Sequence, residues 1–230
     1  MKLGIIGAMD EEVAKLSSLM TDKKTETIGV HEFFIGKLNN KEIVLSRSGI
    51  GKVCAAVTAT LLIEKFKVDA VINTGIAGAV STKLKIADIV FSTAAAYHDY
   101  DITVFGYKKG QVPMFEQYFK ADETLLQKSR EITSAIKGFN VYEGVVLSGD
   151  QFISDKTKTR KMIETFPKAL VTEMEGAAIA HVCTDLKVPF LVIRSVSDMA
   201  DDDSPKASVD FMDIAVNNSV KIVCALIDKI

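Results

Sequence analysis

Two carboxylates, Glu173 and Glu175, flank Met174 in the stretch Val171–Met199, and Arg194, Ser197 and Asp198 follow one helix and one apolar strand later. The carboxylate pair stands just after a β-type run and just before an Ala-rich helix. In an open α/β sheet the loops at the carboxyl ends of strands form the ligand crevice. Carboxylates at two such ends, with an arginine beside the second, suit acid/base chemistry on a polyhydroxylated ligand. A structural salt bridge would also account for Arg194 and Asp198, but the two glutamates ending the preceding strand favour function.

Other motifs are weaker singly. GIIGAMDEE opens a strand–turn–helix but is not G-x-G-x-x-G, so a dinucleotide fingerprint is absent. Asp10, Glu11 and Glu12 suit a helix N-terminus by charge alone; one of them aimed into the crevice would serve as a base. NTGIAGAV (Asn73–Val80) brings Gly75 and Gly78 to a strand end, where backbone can approach a ligand. In SGDQFI (Ser148–Ile153), Phe152 either belongs to the core or stacks on a flat heterocycle, with the Ile153 backbone offering a donor and an acceptor to a base edge. YHDYD (Tyr97–Asp101) reads as a polar loop with a hydrogen-bonded histidine, because a metal site needs three or more convergent ligands and no metal-ligand spacing occurs. His31 and His181 read as structural.

These residues need elements to carry them. Apolar, β-branched runs predict strands at Lys2–Ala8, His31–Lys37, Glu42–Arg47, Ala70–Thr74, Asp88–Thr93, Gly144–Ser148, Ala169–Thr172 and Phe190–Ser195. Helical spacing predicts helices at Glu11–Met20, Lys52–Phe66, Glu123–Lys137, Lys156–Thr165, Glu175–Leu186 and Val209–Ile230. The alternation implies βαβ units and a single-domain α/β/α sandwich, residues 1–230, around a mixed, mainly parallel sheet. LNNK (Leu38–Lys41) adds a hairpin. Ala94–Lys120 has no clear period and carries seven aromatics, so a homo-oligomer contact is expected there.

With 230 residues, 48% of them apolar, the chain can build its own core. Its 28 basic and 30 acidic residues are evenly spread, which argues against nucleic acid or an anionic membrane surface as partner. Cys54, Cys183 and Cys224 are isolated and no C-x-x-C occurs, so a reducing compartment and a cytoplasmic location are expected. The N-terminal run reads as a first strand and not a signal peptide, and no run approaches the ~18 apolar residues of a membrane span.

GIIGAMDEE, SGIGKVCAA, NTGIAG, YHDYDITVFGYKKGQVP, SGDQFI, EMEGAAIAHVC and RSVSDMAD, in this order, resemble the 5′-methylthioadenosine/S-adenosylhomocysteine nucleosidases of the nucleoside phosphorylase superfamily almost end to end. The resemblance implies a homodimer without metal or organic cofactor that hydrolyses the N-glycosidic bond and releases adenine from a 5′-thio-substituted ribose. It implies that Asp198 protonates adenine N7 and that Glu12 activates the attacking water. Glu175 would hold the ribose hydroxyls over Met174, with Arg194 near the water and hydroxyls and Ser197 in the substrate shell. Phe152 would stack on adenine and the Ile153 backbone would read its edge. Ala8, Met9, Ile50, Ala77 and Gly78 would line the cavity, and Ile102, Phe105 and Pro113 would wall the neighbouring subunit's 5′ pocket. Two residues depart from the family pattern: Ile76 stands where serine is frequent, and Ser208 where a phenylalanine is usual.

The chemistry suits these roles. Adenine is a poor leaving anion, so a proton at N7 matters. A carboxylate near the ribose stabilises the charge that develops as the bond breaks. Two rival readings remain: a phosphate-dependent purine nucleoside phosphorylase, for which Arg47 is the one supporting residue, and a nucleoside-binding protein without catalysis. The rank of methylthioadenosine, S-adenosylhomocysteine, 5′-deoxyadenosine and 6-amino-6-deoxyfutalosine as substrates is not written in the sequence.

Overall fold

Strands buried on both faces must be apolar at nearly every position, and the central strands of this chain are. In β1 (Lys2–Gly7), Leu3 and Ile5 enter one core while Ile6 enters another. In β5 (Ala70–Ala79), Val71 and Ile72 divide in the same way, as do Val192 and Ile193 in β10 (Phe190–Asp198). The computed structural model describes the whole chain except residues 134, 135, 137 and 202.

The other strands are β2 (Thr21–Ile28), β3 (His31–Leu38), β4 (Lys41–Arg47), β6 (Ile89–Tyr97), β7 (Phe119–Lys120), β8 (Val141–Ser148) and β9 (Ala169–Glu173). The helices are α1 (Asp10–Leu19), α2 (Lys52–Glu64), α3 (Glu123–Thr133), α4 (Lys156–Thr165), α5 (Gly176–Asp185), α6 (Ser204–Asp210) and α7 (Met212–Lys229). Helices α2 and α5 pack together on one face; α1, α3 and α7 cover the other. The sandwich expected from the alternation of strands and helices is therefore present.

The sheet is mixed. Parallel ladders join β1 to β4 and β5, β5 to β10, β6 to β8, and β8 to β9. Antiparallel ladders join β2 to β3, β3 to β4, β10 to β6, β5 to β9 and β6 to β7. Because β10 pairs with both β5 and β6 while β9 pairs with β5, strands β5, β10, β6, β8 and β9 form a closed ring. The crevice expected beside an open sheet is thus the mouth of a small barrel at one end of the sheet.

Several boundaries differ from the sequence reading. Strand β5 continues through the glycines to Ala79, and β10 continues to Asp198, because the two pair from Val71 and Phe190 up to Gly78 and Asp198. The motifs expected in loops therefore lie largely within paired strands. Strand β2 was not anticipated: TDKKTETI has no apolar stripe, is mostly exposed, and is held as an edge strand on β3. The single C-terminal helix expected from Val209 is two helices, broken at Phe211. Helix α3 is described to Thr133, and the expected extension ends at Lys137, outside the described residues. The LNNK hairpin forms as expected, with Asn39 and Asn40 at φ of 50° and 62°, the left-handed pair of a two-residue turn.

Candidate active site

A cavity of about 720 Å³, open mouth included, lies at the carboxyl ends of β1, β5, β9 and β10. Four buried carboxylates line it, Glu12, Glu173, Glu175 and Asp198. Glu12, Asp198 and Glu175 come from three elements, and each of these is held by a different device.

Glu12 is the third residue of α1, and its side chain turns back to the helix start, as in half of a capping box. Its Oε2 accepts from the Ala8 amide at 2.5 Å and the Met9 amide at 3.0 Å. Its Oε1 accepts from the Ile76 amide of β5 at 3.1 Å. Burial pushes the carboxyl above its ordinary range, while Arg194 and the three amides pull it back. Gly75 leaves the room required: a Cβ there would strike Glu12 Oε1.

Asp198 ends β10 at a bulge. Val196 pairs with Ala77 and Asp198 with Gly78, so Ser197 is the extra residue. In a regular strand neighbours point to opposite faces, yet Ser197 and Asp198 both line the cavity. Ser197 Oγ donates to Asp198 Oδ2 at 2.9 Å, and the Ala200 amide donates to Oδ1 at 2.9 Å. A Cβ at Gly78 would come to 2.7 Å from Oδ1.

Glu175 is the N-cap of α5, and its Oε1 accepts from the Gly51 amide at 2.9 Å. Burial, then the charge of Glu173, pushes it up to about 8, against the pull of Arg194. Arg194 itself is fully buried, with Nη2 3.9 Å from Glu175 Oε2. Its nearer partners are Glu173, met through Nε at 3.1 Å and through Nη2, and Asn73 Oδ1 at 2.6 Å. Arg194 is not on the cavity wall: it stands behind the two glutamates.

The other anticipated residues divide clearly. Ala8, Met9, Ile50, Ala77 and Gly78 line the cavity, and so do Phe152, Ile153 and Met174. Phe152 is 51% exposed, which removes the core alternative. Among the described residues the Ile153 N–H and C=O enter no hydrogen bond within the chain. Ile76 and Ser208, the two departures, are both on the wall. Ile102, Phe105 and Pro113 are not: they lie on the segment after β6, with Phe105 75% exposed in a short 3₁₀ turn.

The sequence reading left Glu173 without a task and passed over Ser148, Asn73 and the Gly51 amide. The signal for Glu173 was its place two residues before a helix rich in small residues. His98 corrects an expectation: its Nε2 is buried without a hydrogen-bond partner among the described residues and packs against Gly149. His31 and His181 meet Thr58 and Tyr97 at 3.2 Å, as structural histidines do. Among the described residues no group of three His, Cys, Asp or Glu side chains is placed to hold a metal. None of the described helices is long and apolar enough to cross a membrane.

The family model described as "Phosphorylase superfamily" matches residues 2–228. A 5′-methylthioadenosine/S-adenosylhomocysteine nucleosidase of Shewanella loihica is 46% identical over 99% of each chain. The nucleosidase of that name from Neisseria meningitidis, solved in complex with methylthio-immucillin-A, superposes with a TM-score of 0.98 at 38% identity, covering 100% of this chain and 99% of the other. The Colwellia psychrerythraea nucleosidase, solved in complex with adenine, gives a TM-score of 0.97 at 40% identity over 100% of this chain and 95% of the other. With a full-length family match and relatives this similar, the chain belongs to the phosphorylase superfamily and, within it, to the 5′-methylthioadenosine/S-adenosylhomocysteine nucleosidases.

Proposed function

We propose that this chain hydrolyses the N-glycosidic bond of 5′-methylthioadenosine, S-adenosylhomocysteine and 5′-deoxyadenosine, releasing adenine and the 5′-substituted ribose. The observation that carries this reading is the convergence of Glu12, Asp198 and Glu175 on one cavity from three separate elements. Asp198 is the acid that gives a proton to adenine N7, and Glu12 is the base that takes one from water. Glu12 is anchored at Ile76 while Asp198 lies against Gly78, two residues and roughly 7 Å further along β5. That spacing leaves a ribose between acid and base, so water can attack C1′ from the side opposite the leaving base.

Glu175 accepts the ribose hydroxyls, with Met174 beneath the sugar. As the bond to N9 breaks, positive charge grows on the ring and favours the ionised form of Glu175, whose charge then stabilises the transition state more than the ground state. Phe152 stacks on adenine, and the free Ile153 amide and carbonyl read its edge. Met9 and Ile50 supply apolar wall suited to a thioether. Arg194 acts from behind Glu175, not by touching the sugar.

Phosphate as nucleophile is disfavoured by charge. Among the described residues the cavity wall has no lysine or arginine, whereas a phosphate cradle calls for one. Arg47 is tied to Asp10 at 3.1 Å on the surface. Methylthioadenosine in phosphate-free buffer should yield adenine and free methylthioribose. Strict phosphate dependence with a sugar 1-phosphate product would sink the hydrolase reading, and no adenine release at all would favour the binding protein. Relative kcat/KM on the four 5′ variants, aminodeoxyfutalosine included, would rank the substrates.

We infer further that the chain works in the cytoplasm as a homodimer, with Ile102, Phe105 and Pro113 of one copy closing the 5′ pocket of the other. The exposed Val104, Phe105 and Met114 on the segment after β6 support the pairing of copies.

A further inference from the structure

We infer that Glu173 is a positioning residue for the reaction: it holds Arg194 back from Glu175, so that the carboxyl group beneath the ribose meets the guanidinium only at 3.9 Å and is not paired with it directly. This rests on the nucleosidase reading of the same cavity. Glu173 is 8% exposed, and its two oxygens join three strands and a helix. Ser148 Oγ at the end of β8 donates to Oε1, and Arg194 of β10 donates to Oε2 through both Nε and Nη2. The Gly176 amide donates at 3.0 Å to one oxygen and 2.8 Å to the other, and the Glu175 amide donates at 3.2 Å. Ser148 Oγ in turn accepts from the Ala177 amide at 2.7 Å. A side chain at position 176 would come within 3.2 Å of both Glu173 oxygens, so glycine there permits the close approach.

The arrangement has an electrostatic consequence. Arg194 has one charge, and the groups that face Glu175 are Glu173 from β9, Arg194 from β10 and Glu12 from α1. Direct contact with Glu173, and Asn73 holding Nη2 from β5, keep the guanidinium from closing on Glu175, which it reaches only at 3.9 Å. A carboxylate paired directly with arginine would have little attraction left for the positive ribose of the transition state. Helix capping alone would need only an acceptor at Glu173, not a charge.

The test is a titration of the resting protein with its glutamate carboxyl carbons labelled for NMR. The resonance absent from Glu175→Gln is Glu175, expected to titrate near 8 in the wild type. In Glu173→Gln, which keeps an acceptor but no charge, its midpoint should fall by about one unit or more. Adenine release should fall about tenfold or more as kcat, KM changing little, since each 1.4 kcal/mol of lost transition-state stabilisation is tenfold in rate. If Glu173→Gln does not fold, Glu173→Asp keeps the charge but withdraws it by one methylene, and should shift the same midpoint the same way by less. A folded variant whose Glu175 midpoint stays at the wild-type value overturns the inference, whatever its rate. A wild type that releases no adenine overturns the nucleosidase reading instead.

Discussion

Burial and hydrogen bonding pull Glu12 in opposite directions. Loss of water makes its charge costly, while three backbone amides hold the carboxylate ready to accept a proton. Glu12→Gln leaves the shape and removes the base, so kcat should drop about 10²–10⁴-fold with KM little changed, and Asp198→Asn should do the same for the acid. Because the pKa of Glu12 is raised, activity should fall on the acid side of the kcat–pH profile at a higher pH than an ordinary carboxylate would give. Glu175 adds a stability effect of definite sign. The native state keeps its proton to about 8 while the unfolded chain gives it up near 4.5, so the native state binds more protons across that window. The stability this group contributes is present below the unfolded value and is lost as pH rises through the native one. Glu175→Gln, which cannot ionise, should therefore gain stability over the wild type on going from mildly acid to mildly alkaline pH. Denaturant unfolding of both empty proteins at the two pH values measures the gap, and a constant gap would contradict the assignment.

At the scale of elements, the active site depends on irregularities that a pattern of apolar residues does not announce. The bulge at Ser197 lets two consecutive residues of β10 share one face, and Gly78 of β5 makes room for the carboxylate so aimed. Gly78→Ala should cost about 1–3 kcal/mol by overpacking and also displace the acid, so adenine release falls beyond what lost stability explains. Gly4→Ala is the control: its Cβ would meet Leu62 at 3.1 Å and Val68 at 3.2 Å, far from the cavity, so thermal stability should fall while kcat holds. The same contrast shows what was legible in the sequence. Strands such as β1 and β10 were plain because burial on both faces demands unbroken apolar runs, and strand-end carboxylates marked the site because a buried charge is rarely idle. Strand β2 was invisible because a solvated edge strand places no demand on side-chain type. The task of Glu173 was hidden because it depends on Ser148 and Arg194, which are 25 and 21 residues away in sequence and meet it only when the ring of strands closes.

At the scale of the molecule, the ring of β5, β10, β6, β8 and β9 gathers the chemistry at one mouth, while large apolar side chains stay exposed in two groups of residues, each close together in sequence. Ile50 on the cavity wall is 57% exposed, and the adjoining helix α2 shows Val53 at 74%. The segment after β6 carries Val104, Phe105 and Met114 at 83%, 75% and 96% exposure. Apolar side chains this exposed are what a second copy would cover. A buried phenylalanine gains about 1.5–3 kcal/mol over an exposed one, and losing it at both copies of a twofold interface counts twice. Phe105→Asp should therefore dissociate on dilution where the wild type stays paired, read as mass by light scattering across a concentration series. If Phe105 walls the partner's 5′ pocket, the variant should also show a raised KM for methylthioadenosine that added protein partly restores, since concentration rebuilds the missing wall. A wild type that is monomeric at every concentration, or a variant that loses pairing with no change in KM, would separate the pocket from the interface.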